Sequence, residues 1–297
     1  MGLSLPSWLR KLSPDVFHCQ YIQPSWGRPR TVVSIHDLAY EHFPEYFHPR
    51  EAFRLKKLVP WTARRADHIL TLSEFSAADI ADKYGVPREK ITVTYLAASE
   101  SFQPRDKHSS QEYLAQKYGI EFPFILYVGR IQARKNLPRL VDAYCLLRRQ
   151  GVTAKLVLVG KRDWQSEQLL ARIKDLGLES SVIFPGFVSF ADLPLFYNAA
   201  EVFIFPSLFE GFGLPVIESM ASGVPTITSF GSSLSEVAGD AAILIDPLDT
   251  QAIAEALARV LEDHDLRRQL IARGLQRSAQ FTRENLAQRV LQVYQAL

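Results

Sequence analysis

Cysteine is almost missing from this chain: 297 residues hold two, Cys19 and Cys145, and no CxxC or Cys/His ligand spacing surrounds either one. Neither a zinc site nor a disulfide framework is indicated, and a reducing cytoplasm is the expected compartment. An excess of one charge is missing too. Lys plus Arg number 34 against 32 for Asp plus Glu, so no global basic field points to nucleic acid and no acidic excess points to disorder. No run of roughly eighteen apolar residues occurs, so a membrane-spanning helix is not expected. The opening MGLSLPSWLRKL has no uninterrupted apolar stretch ending in a small-residue cleavage site, so export by a signal peptide is not expected either. No G-x-G-x-x-G follows a strand pattern with an acidic residue about twenty positions on, which argues against a nicotinamide oxidoreductase. Repeats of fixed period and low-complexity tracts are also lacking.

Apolar side chains are plentiful, 47% of the chain, enough for two cores at this length. From residue 120 onward, short apolar runs alternate with stretches of helical period, the pattern of a doubly wound parallel sheet. The strand candidates are FILYV at Phe124, KLVLV at Lys155, SVIF at Ser181, EVFIF at Glu201, PTITS at Pro225 and AAILI at Ala241. The first hundred residues repeat the logic with DVFHCQY, RTVVSIH, DHILTLS and KITVTYL, and with helices after Pro49 and after Ser73. Ala98 to Ser110 is polar and aperiodic and reads as a linker. The expected division is 1–105, a partial N-terminal domain; 106–280, a C-terminal Rossmann-like domain; and 281–297, a helix packing back on the chain. Its apolar stripe is Leu286, Val290, Val293 and Leu297.

The most informative stretch is FEGFGLPVIESMASGVP, Phe209 to Pro225, which follows a strand and opens a helix. Ligands of open α/β sheets bind at that end of the strands. Gly211 and Gly213 would let the backbone approach a ligand, and Pro215 suits a first helical turn. The free N–H groups there favour an anion such as a diphosphate. Glu210 and Glu218 flank the turn and are good acceptors for sugar and ribose hydroxyls; the plainer reading is that they cap or solvate the helix. A second constellation is YVGRIQARKNLPRL, Tyr127 to Leu140. There Gly129 makes the turn and Arg130 and Lys135 are placed to neutralise two phosphates, with Arg134 sharing the task or facing solvent. A third is SIHDLAY, where His36 stands at a strand end and Asp37 is expected to cap the next segment.

These motifs resemble the large family-four group of retaining GT-B glycosyltransferases (glycosyl transferases group 1), whose mark is two glutamates seven residues apart in the form EGFGLPVIE. The resemblance implies a GT-B fold: two Rossmann-like domains facing a cleft, here with the N-terminal one truncated, since the usual opening strand, glycine-rich turn and helix are absent. It implies that Glu210 contacts the donor sugar, that Glu218 holds the ribose hydroxyls, and that Arg130 and Lys135 lie on the diphosphate. It further implies that His36 positions sugar and phosphate. Gly129, Gly186 in FPGFV, Gly211, Phe212, Gly213 and Leu214 complete the implied donor contacts, with Gly186 beside the nucleobase. Ser73 and Glu74 are weaker matches.

The implied reaction moves a hexose such as mannose or glucose from a nucleotide diphosphate sugar to a glycan or lipid-linked acceptor in polysaccharide biosynthesis, with no covalent nucleophile. Its alternative is a non-catalytic sugar-nucleotide-binding fragment; an epimerase or phosphorylase fits the motifs less well. No cofactor and no metal are expected, because the two cations can supply the neutralisation and no D-x-D counterpart stands out. One basic stripe, Arg50, Arg54, Lys57, Trp61 and Arg64, occupies one helix face. It reads either as a solvated face or as a peripheral contact with an anionic membrane at the inner face. With the opening unit absent, an uncovered apolar surface is expected around Val16, Phe17, Val32 and Val33.

Overall fold

The computed structural model describes residues 11–24, 29–161 and 166–297; most of the opening stretch MGLSLPSWLRKL, and with it the signal-peptide reading, lies outside them. The chain divides into two compact units: residues 1–96, 210–212 and 282–297 form the first, and 97–209 with 213–281 the second.

In the first unit four parallel strands, β1 (Val16–Gln20), β2 (Arg30–Ser34), β3 (His68–Thr71) and β4 (Ile91–Val93), pair in the order β1-β2-β3-β4. The helices are α1 (Ala39–His42), α2 (Pro49–Arg65) and α3 (Glu74–Tyr84), with α12 (Arg283–Ala296) returning at the C-terminus. One core joins Val33, Ile35 and Ile69 to Val59, Ala77 and Ile80. On the opposite face Val32 and Leu70 meet Val293, with Val16, Val290, Tyr294 and Leu297 packed around them. This corrects the expectation of an uncovered surface at Val32 and Val33, which are both fully buried, whereas Val16 and Phe17 on edge strand β1 are only half-buried. The stripe of α12 supplies the cover, and polar contacts hold it: His18 bonds the Tyr294 hydroxyl through Nδ1 at 2.5 Å and the Ser34 hydroxyl through Nε2 at 2.8 Å.

The second unit is a six-stranded parallel sheet ordered β10-β9-β8-β5-β6-β7. Its strands are β5 (Phe124–Val128), β6 (Lys155–Val159), β7 (Val182–Ile183), β8 (Val202–Phe205), β9 (Thr226–Ser229) and β10 (Ile243–Ile245). The helices are α4 (Lys107–Tyr118), α5 (Leu137–Arg149), α6 (Ser166–Asp175), α7 (Leu193–Ala199), α8 (Leu214–Ala221), α9 (Ser232–Ala238), α10 (Thr250–Glu262) and α11 (His264–Ser278). Central β5 and β8 are buried at every residue, as continuous apolar runs covered on both faces must be. β7 and β10 are shorter than SVIF and AAILI suggest, because each lies at an edge and pairs on one side only.

The stretch read as a linker is not loose. Phe102 is buried with its ring 5.6 Å from that of Tyr197, the Arg105 N–H donates to Asn198 Oδ1 at 2.6 Å, and Asp106 caps α4 by accepting from the Ser109 N–H at 2.7 Å. Aperiodic polar sequence here marks a packed crossing and a helix cap, which periodicity cannot register.

Candidate functional site

Within the second unit the strand order makes β5 and β8 neighbours, so the loops after them leave the carboxyl end of the sheet side by side. The first loop turns at Gly129, at φ 152°, where an added Cβ would come within 2.8 Å of the Tyr127 hydroxyl. Tyr127 in turn donates to the Arg130 carbonyl at 3.1 Å. Arg130 is left exposed. Lys135 ends a single 3-10 turn and is buried, its Nζ 4.8 Å from the centre of the Phe205 ring at the end of β8. A cation over a ring face is attracted by the ring's negative face, which helps to hold it in place.

Arg134 is half-buried and does not simply face solvent. Its guanidinium donates to the Phe209 carbonyl, and its own carbonyl accepts from the Leu208 N–H at 3.0 Å, so it ties the two loops together. Asn136, which no motif role singles out, adopts φ 60° as the cap of α5 and donates to the Pro247 carbonyl at 2.6 Å after β10. Asparagine tolerates that left-handed conformation, which is the one signal that could have marked it.

The second loop enters α8 through Gly213, at φ 95°, where a Cβ would lie 2.5 Å from Leu234 Cδ2. Leu214 and Pro215 open the helix. One turn on, Glu218 is 7% exposed, and its Oε2 accepts from the Tyr197 hydroxyl at 2.9 Å. Burial pushes its carboxyl up to about 7, against the smaller opposing effect of the Tyr197 bond. A carboxylate so placed is poorly solvated, and added hydroxyl donors would favour its charged form. Nothing in the sequence around Tyr197 announces this partnership. Gly186 follows β7, two strands beyond β5, at φ 79° and exposed, and a Cβ added there would meet nothing within 4 Å; its neighbour Phe187 is 90% exposed. Gly186 lies on the loop that leaves the same carboxyl end of the sheet, two strands along from the Gly129 loop.

Within the first unit, Gly211 sits against the backbone of the β2 end: a Cβ there would come within 2.4 Å of the His36 carbonyl oxygen and 2.8 Å of Asp37 Cβ. The Gly211 carbonyl accepts from the Ser76 hydroxyl at 3.4 Å. Both glycines of the motif are thus required by the protein's own close packing, before any ligand approach. Glu210 and Phe212 are buried beside it, Phe212 with its ring 6.2 Å from that of Tyr95. His36 stacks edge-on to Tyr21 at 5.6 Å. Its Nδ1 is buried without a hydrogen-bond partner among the described residues, and burial lowers its pKa, the nearby Asp37 opposing. Asp37 accepts from the Ala39 N–H at 3.0 Å and so starts α1. Ser73 caps α3 by accepting from the Ser76 N–H at 3.0 Å, while Glu74 pairs with Arg88. Among the described residues no group of three or more His, Cys, Asp or Glu side chains is arranged to hold a metal ion.

Residues 110–277 match the family Glycosyl transferases group 1, and residues 1–99 match Glycosyltransferase Family 4. The chain is 36% identical over 292 residues to an O-antigen chain mannosyltransferase B of Escherichia coli, covering 97% of this chain and 76% of that protein. It is 34% identical over 239 residues to the serotype-specific mannosyltransferase WbdA of the same organism, covering 79% of this chain and 29% of that one. Among solved structures, sucrose-phosphate synthase from Thermosynechococcus elongatus superposes with a TM-score of 0.83 at 23% identity, over 98% of this chain and 76% of that one. Anabaena HepE in complex with UDP and glucose gives 0.81 at 20% identity, over 99% and 82%. Two parallel α/β sheets of GT-B type, the paired-glutamate helix start and these matches together establish that the chain belongs to the glycosyl transferases group 1 and is a glycosyltransferase.

Proposed function

We propose that the chain moves a hexose, mannose in the first instance, from a nucleotide diphosphate sugar to a glycan or lipid-linked acceptor, with retention of anomeric configuration. The observation that carries this reading is Glu218: a buried carboxylate one turn inside a helix start, held by a single tyrosine, is suited to accept from ribose hydroxyls while the N–H groups ahead of it face a diphosphate. Arg130 and Lys135 neutralise the leaving diphosphate without a metal or other cofactor. His36, neutral at physiological pH because burial lowers its pKa, offers its unpaired Nδ1 to a sugar hydroxyl or phosphate. Glu210 contacts the donor sugar. The acceptor attacks from the face the diphosphate leaves, with no covalent intermediate.

The choice of mannose follows the relatives that are named mannosyltransferases. The test is incubation of the chain with GDP-mannose, UDP-glucose and ADP-glucose and a mannan-type acceptor. Product from GDP-mannose carrying an α-linkage by NMR is the expected result, whereas donor binding with neither transfer nor hydrolysis would turn the reading to a donor-binding fragment.

No helix among the described residues is long and apolar enough to cross a membrane. The proposed location is cytoplasmic, with α2 resting on an anionic membrane face. Arg50, Arg54, Lys57 and Arg64 are exposed along it, and Phe53, 63% exposed, offers an apolar group between them.

A further inference from the structure

The second unit holds a cavity of about 370 Å³ whose wall takes Ser222, Gly223 and Pro225 from the tail of the Phe209–Pro225 stretch but none of the residues read as donor contacts. Glu201 and Pro225 line it, and they immediately precede β8 and β9, so it opens at the amino end of the sheet. The donor motifs leave the carboxyl end. Four residues of β8 separate the two ends, about 13 Å of extended chain.

The wall carries four cations, Arg105, Lys107, Arg267 and Arg268, against the single carboxylate of Glu201. That carboxylate is fully engaged: Lys107 reaches Oε1 at 2.6 Å and Arg267 reaches Oε2 at 3.0 Å. The pairing fixes two of the cations in place. Arg268 pairs with exposed Asp265 on its own helix, a contact that solvent weakens. Arg105 gives one guanidinium nitrogen to the Ser101 carbonyl. A concave wall with surplus positive charge concentrates anions. A separate observation points the same way. Ser222, at the end of α8, is 2% exposed and lines the cavity, and its hydroxyl has no hydrogen-bond partner among the described residues. A buried hydroxyl is nearly always paired in a folded protein, so this one has a donor left to give to a ligand atom or an ordered water at the cavity wall. The volume is within the range of small-molecule sites.

We propose that this cavity is a second ligand site, separate from the donor site, that takes a small phosphomonoester, a sugar phosphate in particular. The guanidinium groups of Arg105 and Arg268 meet the phosphate oxygens, for which their planar donor fork is suited. The Arg267–Glu201–Lys107 bridge forms the fixed floor, and Ser222, whose hydroxyl has no partner among the described residues, is the polar group of the wall left for a sugar ring.

The test is calorimetric titration of the full chain with glucose 6-phosphate and, separately, with inorganic phosphate. Saturable binding of glucose 6-phosphate is expected, weakened by at least about tenfold in Arg105→Gln and in Arg268→Gln, because each removes a charge-assisted contact. Tighter binding of the sugar phosphate than of inorganic phosphate identifies the sugar phosphate as the ligand; equal binding identifies free phosphate in the same site. Ser222→Ala should lower affinity with no fall in melting temperature. Arg130→Ala, which alters the donor loop, should leave the titration unchanged. The proposal is overturned if no probe saturates, if Arg105→Gln and Arg268→Gln bind as the unaltered chain does, or if Arg130→Ala abolishes binding, which would place the probe in the donor site. Because donor transfer is read in a different assay, failure here leaves the transferase reading standing, and the reverse also holds.

Discussion

Glu218 is pulled in opposite directions by folding and by binding. Its carboxyl titrates near 7 in the folded chain against an ordinary value of 4.5, so between those two the folded state keeps a proton that the unfolded state has released. The stability this contributes is fully present below the ordinary value and is lost as pH rises through about 7. Glu218→Gln keeps a neutral side chain beside Tyr197, so in urea unfolding the variant should gain on the unaltered chain from pH 5 to pH 8, by roughly 3 kcal/mol at most. The same variant gives up the charged acceptor for ribose hydroxyls and should bind nucleotide sugar about 1.5–3 kcal/mol more weakly. Parallel pH profiles of stability would refute the burial argument, and unchanged donor affinity would refute the ribose assignment. Arg130 and Lys135 should separate in a different way. Either one changed to Ala should slow transfer by about a hundredfold while sparing affinity for the free nucleoside. Only Lys135→Ala, which empties a buried position over Phe205, should also lower the melting temperature. Equal stability losses in the two variants, or loss of nucleoside affinity, would contradict this placement.

Strands and helices were largely legible because apolar period is a local signal. FILYV and KLVLV are β5 and β6 over the residues read from the sequence, and the paired-glutamate stretch does open a helix after a strand. What the sequence did not disclose depends on contacts distant along the chain. The cover over Val32 comes from Val293, more than two hundred positions later, and no pattern in β2 announces it. The role of Arg134 depends on the Phe209 carbonyl and that of Glu218 on Tyr197. An arginine bonded to a carbonyl and one awaiting a phosphate have the same letter in the sequence. The cover supplied by α12 gives a direct test. Val293→Asp would place a carboxylate against Val32 and Leu70 and should destabilise the first unit by at least about 2 kcal/mol. Hydrogen exchange should show β2 and β3 losing protection while β5 and β8 keep theirs. Unchanged exchange in β2 would mean that α12 is not what closes that face.

For the molecule as a whole the formal charge is only +2, too small to draw it to an anionic surface by itself, so any such attraction must come from charge arranged on one element. Helix α2 has that arrangement. Its seventeen residues include six exposed cations, Arg50, Arg54, Lys56, Lys57, Arg64 and Arg65, against exposed Glu51. Lys57 lies 4.9 Å from the centre of the Phe53 ring, and Arg65 lies 5.1 Å from that of Trp61, so the aromatic groups are set among the charges. Each basic residue near an anionic leaflet is worth about 1 kcal/mol, and the attraction fades within a Debye length. The chain should therefore sediment with vesicles containing phosphatidylglycerol at low salt, remain free with vesicles of phosphatidylcholine alone, and be released as salt approaches about 0.5 M. Arg54→Glu with Lys57→Glu should abolish sedimentation while leaving transfer to a water-soluble acceptor intact, because neither residue belongs to the donor loops. Phe53→Ser should weaken binding at low salt and, unlike the charge reversals, leave its salt dependence unchanged, since it removes apolar contact alone. Binding that is equal for both vesicle types, or that survives the double reversal, would show that α2 is a solvated face and that the chain meets its acceptor without a membrane surface.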